Sequence, residues 1–100
     1  MTLGIVLATP PARGDFEHVE GLARAARGRG LEVGLFLMDE AVRWAGDPRL
    51  AGLLDEGCEV TACGLSLTRA ALEPLTGVVV GSQDDHAALV RRAERMVAFT

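Results

Sequence analysis

A three-layer α/β domain with a mostly parallel sheet of four to five strands is the fold class this sequence predicts, on three observations. Short apolar runs alternate with helix-like stretches four times along the chain. Each connection between runs is long enough for a parallel crossover. The chain has 100 residues, 49% hydrophobic and 24% charged, an ordinary globular balance at a length that supports one core rather than two. Residues 1–100 are therefore read as a single domain.

Leu3 to Ala8 is an apolar run closed by Thr9-Pro10-Pro11, as expected for a strand buried on both faces. Asp15 is placed to cap a helix over Phe16 to Arg27, with Val19, Leu22, Ala23 and Ala26 on one stripe and Gly28 or Gly30 beyond its end. Gly21 inside that helix costs about 1 kcal/mol relative to alanine, which close packing would explain. Leu31 to Met38 is the second strand, and Ala41 to Ala45 a helical turn. Asp47-Pro48 then gives an N-cap followed by proline at the first helical position, with Gly57 as the stop. Glu59 to Cys63 is the third strand, Leu67 to Leu75 a short helix, and Gly77 to Gly81 a fourth strand. Ser82 and Asp85 have capping-box spacing for a last helix running to about Ala98, with His86, Leu89, Val90, Ala93, Met96 and Val97 at helical intervals.

Charge and composition narrow the function. Net charge is −4 and the basic residues are all arginine with no basic tract, so direct binding to nucleic acid is not expected. No apolar stretch approaches the roughly 20 residues of a membrane span, and MTLGIVLATPP lacks the basic start of a signal peptide. A cytoplasmic, reducing location is expected, where two cysteines are free thiols. Five extended steps of about 3.3 Å would separate Cys58 and Cys63 by about 16 Å along one strand, and a disulfide needs less than about 7 Å.

In parallel sheets, sites gather beyond the carboxyl ends of the strands. Three stretches end there: Thr9 to Asp15, Asp39-Glu40, and Cys63 to Ser66. Cys63 lies where a strand stops and a helix starts, so unpaired N–H groups and the helix dipole favour its thiolate, whereas the bland alternative is a small core hydrophobe. Gly64 permits a tight turn, and Ser66 or Thr68 is placed to cap the following helix. Cys58, at the far end of the same strand, reads as core filler. Asp39 and Glu40 are either an acid/base pair or a solvated turn. TPPARGD lacks both glycine-rich phosphate patterns. His18 and His86 have no metal-ligand neighbours at a recognisable spacing. Arg91, Arg92 and Arg95 form a basic edge on the last helix, and Trp44 is expected to cover either the site or an oligomer contact.

Taken in order, GIVLATPP, LEVGLFLMDEAV, LLDEGCEVTACGLSLTRAAL and GVVVGSQDD resemble the DsrE/DsrF/TusD-like sulfur-relay proteins across nearly the whole chain. The most specific part is Gly-x-x-Val-x-x-Cys, here Gly57 to Cys63, with Arg69 six residues on. The family commonly follows that arginine with glycine, where this chain has Ala70. The resemblance implies a single DsrE-like domain whose Cys63 accepts sulfane sulfur as a persulfide and passes it on. It also implies a homo-oligomer, trimer or hexamer, with sulfur donor and acceptor proteins as partners.

The expected function is thus a small sulfur carrier acting through Cys63, supported by Gly64, Ser66, Arg69 and Asp39, with no metal or organic cofactor required for thiol–persulfide exchange. The alternative is a non-catalytic subunit or a module that binds a nucleotide or other small ligand. A hydrolase built on Asp39 or Glu40 lacks a recognisable nucleophile and base.

Overall fold

The four apolar runs expected as strands are strands. In the computed structural model, which describes residues Met1 to Thr100, β1 is Thr2–Leu7, β2 Glu32–Leu37, β3 Glu59–Cys63 and β4 Val79–Gly81. A fifth strand, β5, is Arg95–Phe99. The helices are α1 Phe16–Gly28, α2 Pro48–Asp55, α3 Gly64–Ala70 and α4 Gln83–Arg92, with 3-10 segments at Pro11–Arg13 and Asp39–Gly46.

All neighbouring strands pair in parallel, in the order β4-β3-β2-β1-β5. From β1 to β4 the chain steps in one direction across the sheet, so right-handed crossovers put every connecting helix on one face. The step from β4 to β5 runs back across the sheet, which puts α4 on the other. Packing agrees. Strand residues alternate between faces, and Ile5, Leu35 and Val60 join Val19 of α1, Leu53 of α2 and Leu67 of α3 in a core of 19 buried residues. Val6, Phe36 and Cys63 instead meet Leu89 of α4 in a smaller cluster.

Two helix starts follow the sequence reading. The Asp47 side chain accepts from the Arg49 N–H at 2.8 Å ahead of Pro48, and Ser82 and Asp85 close a capping box. Gly57, at φ +88°, stops α2 as expected. Three readings change. Asp15 makes no side-chain cap; its carboxylate accepts the Thr9 hydroxyl at 2.7 Å, because the buried Thr9 needs a partner. Gly21 has open space around its Cα, so no close packing explains it. Trp44 stacks on Phe16 at 4.2 Å, with the Arg49 guanidinium over both rings, and so belongs to the main core rather than to a site cover.

The largest difference is at the end of the chain. α4 stops at Arg92, and the expected continuation to Ala98 is replaced by β5, whose Leu3↔Arg95 to Leu7↔Phe99 register completes the sheet beside β1. Glu94 fixes the start of that pairing: its N–H donates to the Thr2 carbonyl at 3.0 Å, and its carboxylate accepts the Thr2 N–H at 2.6 Å. The latter bond holds the Glu94 carboxyl below the usual carboxylate range. Arg95 therefore lies on a strand, and Arg92 is paired with Glu59 at 2.9 Å, so the basic edge expected on the last helix is divided.

α4 reaches the sheet where β2 carries Gly34. A Cβ built on Gly34 would lie 2.6 Å from Leu89 Cδ1 and 3.0 Å from Arg92 Nη2. Gly34→Val is expected to cost about 1–3 kcal/mol by overpacking, lowering the melting temperature by about 10 °C for a domain of this size. A thermal melt by circular dichroism reads it, and an unchanged midpoint would contradict this seating of α4.

Candidate functional site

β3 passes into α3 with no loop between them. Cys63 is the last residue of the strand and also the N-cap of the helix, at φ −63° and ψ 118°. α3 begins at Gly64, three residues before the sequence reading placed it, and ends at Ala70, with Ala71 as its C-cap in the left-handed region. Gly64 is closely approached, since a Cβ there would lie 3.1 Å from Val80 Cγ1 and 3.4 Å from the Gly81 carbonyl oxygen. Ser66 is inside the helix and caps nothing. Thr68 also caps nothing, its hydroxyl bonding back to the Gly64 carbonyl at 3.0 Å.

The position within the sheet is informative. β3 sends its chain to α3 on one face and β4 sends its chain to α4 on the other. Cys63 and Gly81, paired in register, are the last residues of those two strands. Topology alone thus puts Cys63 at the carboxyl edge of the sheet, beside the end of β4.

Cys63 is 7% exposed, its side chain set against Val6, Phe36 and Leu89, so it is neither on a loop nor open to bulk water. Burial by itself pushes the thiol up. The Ser66 hydroxyl, and then the N–H groups of Ser66 and Leu65, favour the ionised sulfur and outweigh burial, leaving the thiol below its ordinary value although Asp39 opposes them. Leu65 and Ser66 are the second and third residues of α3, whose amides an N-cap side chain normally satisfies. No side chain caps them here, so these amides stay open towards the end of β3 where the sulfur lies. Cys58 is the contrast: equally buried, it has no such donors, and burial drives its thiol up.

Asp39 comes next to Ser66 from the end of β2. Its backbone is left-handed, at φ +53°, a conformation aspartate tolerates better than most residues. In it the Asp39 N–H donates to the Ser66 hydroxyl oxygen at 3.0 Å, which leaves the hydroxyl hydrogen for the thiol. Asp39, Glu40, Arg43, Ser66, Arg69 and Ala70 line a pocket of about 210 Å³ between the Asp39–Gly46 segment and α3. A second, apolar cleft of about 510 Å³ lies on the α4 side, with Met38, Asp39, His86 and Met96 in its wall.

The structure thus brings Cys63, Gly64, Ser66, Arg69 and Asp39 to one end of the sheet. It does not bring the Thr9 to Asp15 loop into the site, since Thr9 and Arg13 both turn to Asp15. Glu40 is exposed and ion-paired with Arg43 at 2.8 Å, which leaves no carboxylate pair poised for hydrolysis. Sequence reasoning missed Arg43, although its i,i+3 spacing from Glu40 was a usable signal. It also missed the role of His86, which stacks on Phe36 at 5.1 Å and walls the apolar cleft. No three His, Cys, Asp or Glu side chains converge where they could hold a metal ion.

No family model matches the sequence, and no curated protein is a significant match. Solved structures do match in fold. The ychN protein of E. coli is 17% identical with a TM-score of 0.81, covering 99% of this chain and 100% of its own. BT1422 of Bacteroides thetaiotaomicron, a conserved protein of unknown function, is 16% identical with a TM-score of 0.77 over 98% of this chain and 94% of its own. MTH1491 of Methanobacterium thermoautotrophicum, also of unknown function, is 17% identical with a TM-score of 0.65 over 98% and 97%. At these identities the likeness is one of fold: a five-stranded parallel α/β domain.

The causes of the thiol shift have opposite signs and are separable. Ser66→Ala is expected to raise the pH midpoint of Cys63 alkylation, and Asp39→Asn to lower it, read by mass-mapped iodoacetamide labelling across pH. Midpoints that do not move, or that move in the reverse directions, would contradict this electrostatic account.

Proposed function

We propose that this protein is a small sulfur carrier, which accepts sulfane sulfur on Cys63 and delivers it as a persulfide to a partner thiol. The observation that carries the reading is the position of one thiol, at the carboxyl end of β3 where α3 starts, beside helix-start amides and a hydroxyl that lower its pKa. The resemblance of Gly57 to Cys63 and Arg69 to the DsrE/DsrF/TusD-like pattern supports it.

The chemistry asks little of the protein. A thiolate attacks the outer sulfur of a donor persulfide, the donor S–S bond breaks, and the donor thiolate leaves. The product persulfide can then give its proton to the departing thiolate, and the same donors steady the charge left on it. The added sulfur stands one S–S bond, about 2 Å, beyond Sγ, which moves the reactive atom outward from a nearly covered site. A resolving cysteine is unnecessary, because the second thiol belongs to the acceptor. Cys58 is remote and pushed toward the neutral thiol, which suits it to packing.

Assembly as a homo-oligomer, trimer or hexamer, belongs to the same proposal. It is supported by large exposed apolar residues at the β4 edge and next to the site, Val79 and Val80 at 57% and Leu65 at 60%. No helix is long and apolar enough to cross a membrane. A second reading, a non-catalytic small-ligand module, is favoured by the coverage of Cys63 and by the apolar cleft beside it.

Incubation with inorganic polysulfide followed by intact-protein mass spectrometry separates the two. The carrier reading predicts a gain of one sulfur atom on the parent and on Cys58→Ser, and none on Cys63→Ser. Equal loading of Cys63→Ser would refute it, and an inert Cys63 in a protein that small apolar ligands stabilise would establish the binding module instead.

A further inference from the structure

The polar pocket beside Ser66 has a charge pattern that the carrier role does not by itself require. Glu40 and Arg43 satisfy one another across 2.8 Å. The other two charged residues in the lining do not: neither the Arg69 guanidinium nor the Asp39 carboxylate enters any ion pair, and neither side chain makes a hydrogen bond within the protein, Asp39 engaging Ser66 only through its backbone N–H. One free cation and one free anion therefore face a single small cavity. A ligand bearing one sign of charge would leave the other group unmet. A zwitterion meets both.

Size narrows the class further. At about 210 Å³ the pocket holds about seven waters at about 30 Å³ each, the bulk of a single amino acid, and lies below the range usual for nucleotides and drug-sized ligands. Its location supplies the rest: Cys63 lies outside the lining, but Ser66, one helical turn after it, is part of the lining, so a molecule held there is close to the strand end that carries the sulfur.

We infer that this pocket is a donor subsite for an amino-acid persulfide, with its carboxylate on Arg69, its ammonium on Asp39 and its sulfane sulfur toward Cys63. The inference rests on the carrier reading of Cys63 and adds the donor's chemical class. The Cys63 thiolate attacks the terminal sulfur of R–S–SH, the new S–S bond forms as the old one breaks, and R–S⁻ leaves. The sulfane sulfur keeps its proton on transfer, and no oxidant or reductant is consumed.

Three donors that differ in one charge each test it: cysteine persulfide, cysteamine persulfide, which lacks the carboxylate, and 3-mercaptopropionate persulfide, which lacks the ammonium. Initial rates of Cys63 loading are read by mass spectrometry on the Cys58→Ser background. Cysteine persulfide is expected to load about fivefold faster than either analogue, the scale of one exposed charge-assisted contact. Arg69→Gln should bring the cysteine-to-cysteamine ratio near one, and Asp39→Asn should do the same for the cysteine-to-mercaptopropionate ratio. Ratios cancel the effect of Asp39 on the thiol itself, and thermal melts confirm that both surface variants are folded. Equal rates for the three donors, or loading by inorganic polysulfide but by none of them, overturns the subsite while leaving the carrier standing. Failure of Cys63 to accept sulfur from polysulfide as well defeats the carrier reading and the subsite with it.

Discussion

The handedness of crossover connections is the constraint from which the site follows. Strands ordered β4-β3-β2-β1-β5 can be joined by right-handed crossovers only if the connections up to β4 lie on one face and α4 lies on the other. That requirement parts the chain at the carboxyl ends of β3 and β4. It fixes Cys63 there before any property of the sulfur is considered. Local sequence then completes the junction, since Gly64 lets α3 begin against Val80 and the Gly81 carbonyl with no intervening loop.

Two thiols in one chain show what the junction does. Cys58 and Cys63 are almost equally covered, at 5% and 7% exposure, so burial alone would raise both. Only Cys63 lies before the open amides of a helix and beside a hydroxyl whose oxygen is already engaged by the Asp39 N–H. Three modest donors acting on one sulfur outweigh desolvation at Cys63, where desolvation without such donors leaves Cys58 a packing residue. The left-handed backbone at Asp39 has a role in this balance, because it aims the N–H that orients Ser66.

Much of the fold was legible because its signals are local. Four apolar runs, the Asp47-Pro48 start, the Ser82 and Asp85 box and the Gly57 stop each need only a few residues of context. β5 was not legible for the opposite reason. Ala93, Met96 and Val97 continue the helical spacing of Leu89 and Val90, and neither glycine nor proline marks the break. What ends α4 is distant in sequence: Thr2 offers Glu94 both a carbonyl and an N–H, and β1 offers a free edge. Ser66 and Asp15 were assigned to caps from residue type, and both were claimed instead by tertiary partners, Asp39 and Thr9. Within the site, Cys63, Asp39 and Arg69 were named from sequence, but the pocket that gathers Asp39 and Arg69 depends on how the Asp39–Gly46 segment docks on α3, which no local pattern encodes.

The account stands or falls on the ionisation of a single sulfur. Ultraviolet titration of thiolate absorbance in Cys58→Ser protein, where only Cys63 contributes, measures it directly. The account predicts one transition centred below the value of an ordinary cysteine thiol. A transition at or above that value would show that burial governs Cys63 as it governs Cys58, and would leave the junction of β3 and α3 as structure without chemistry.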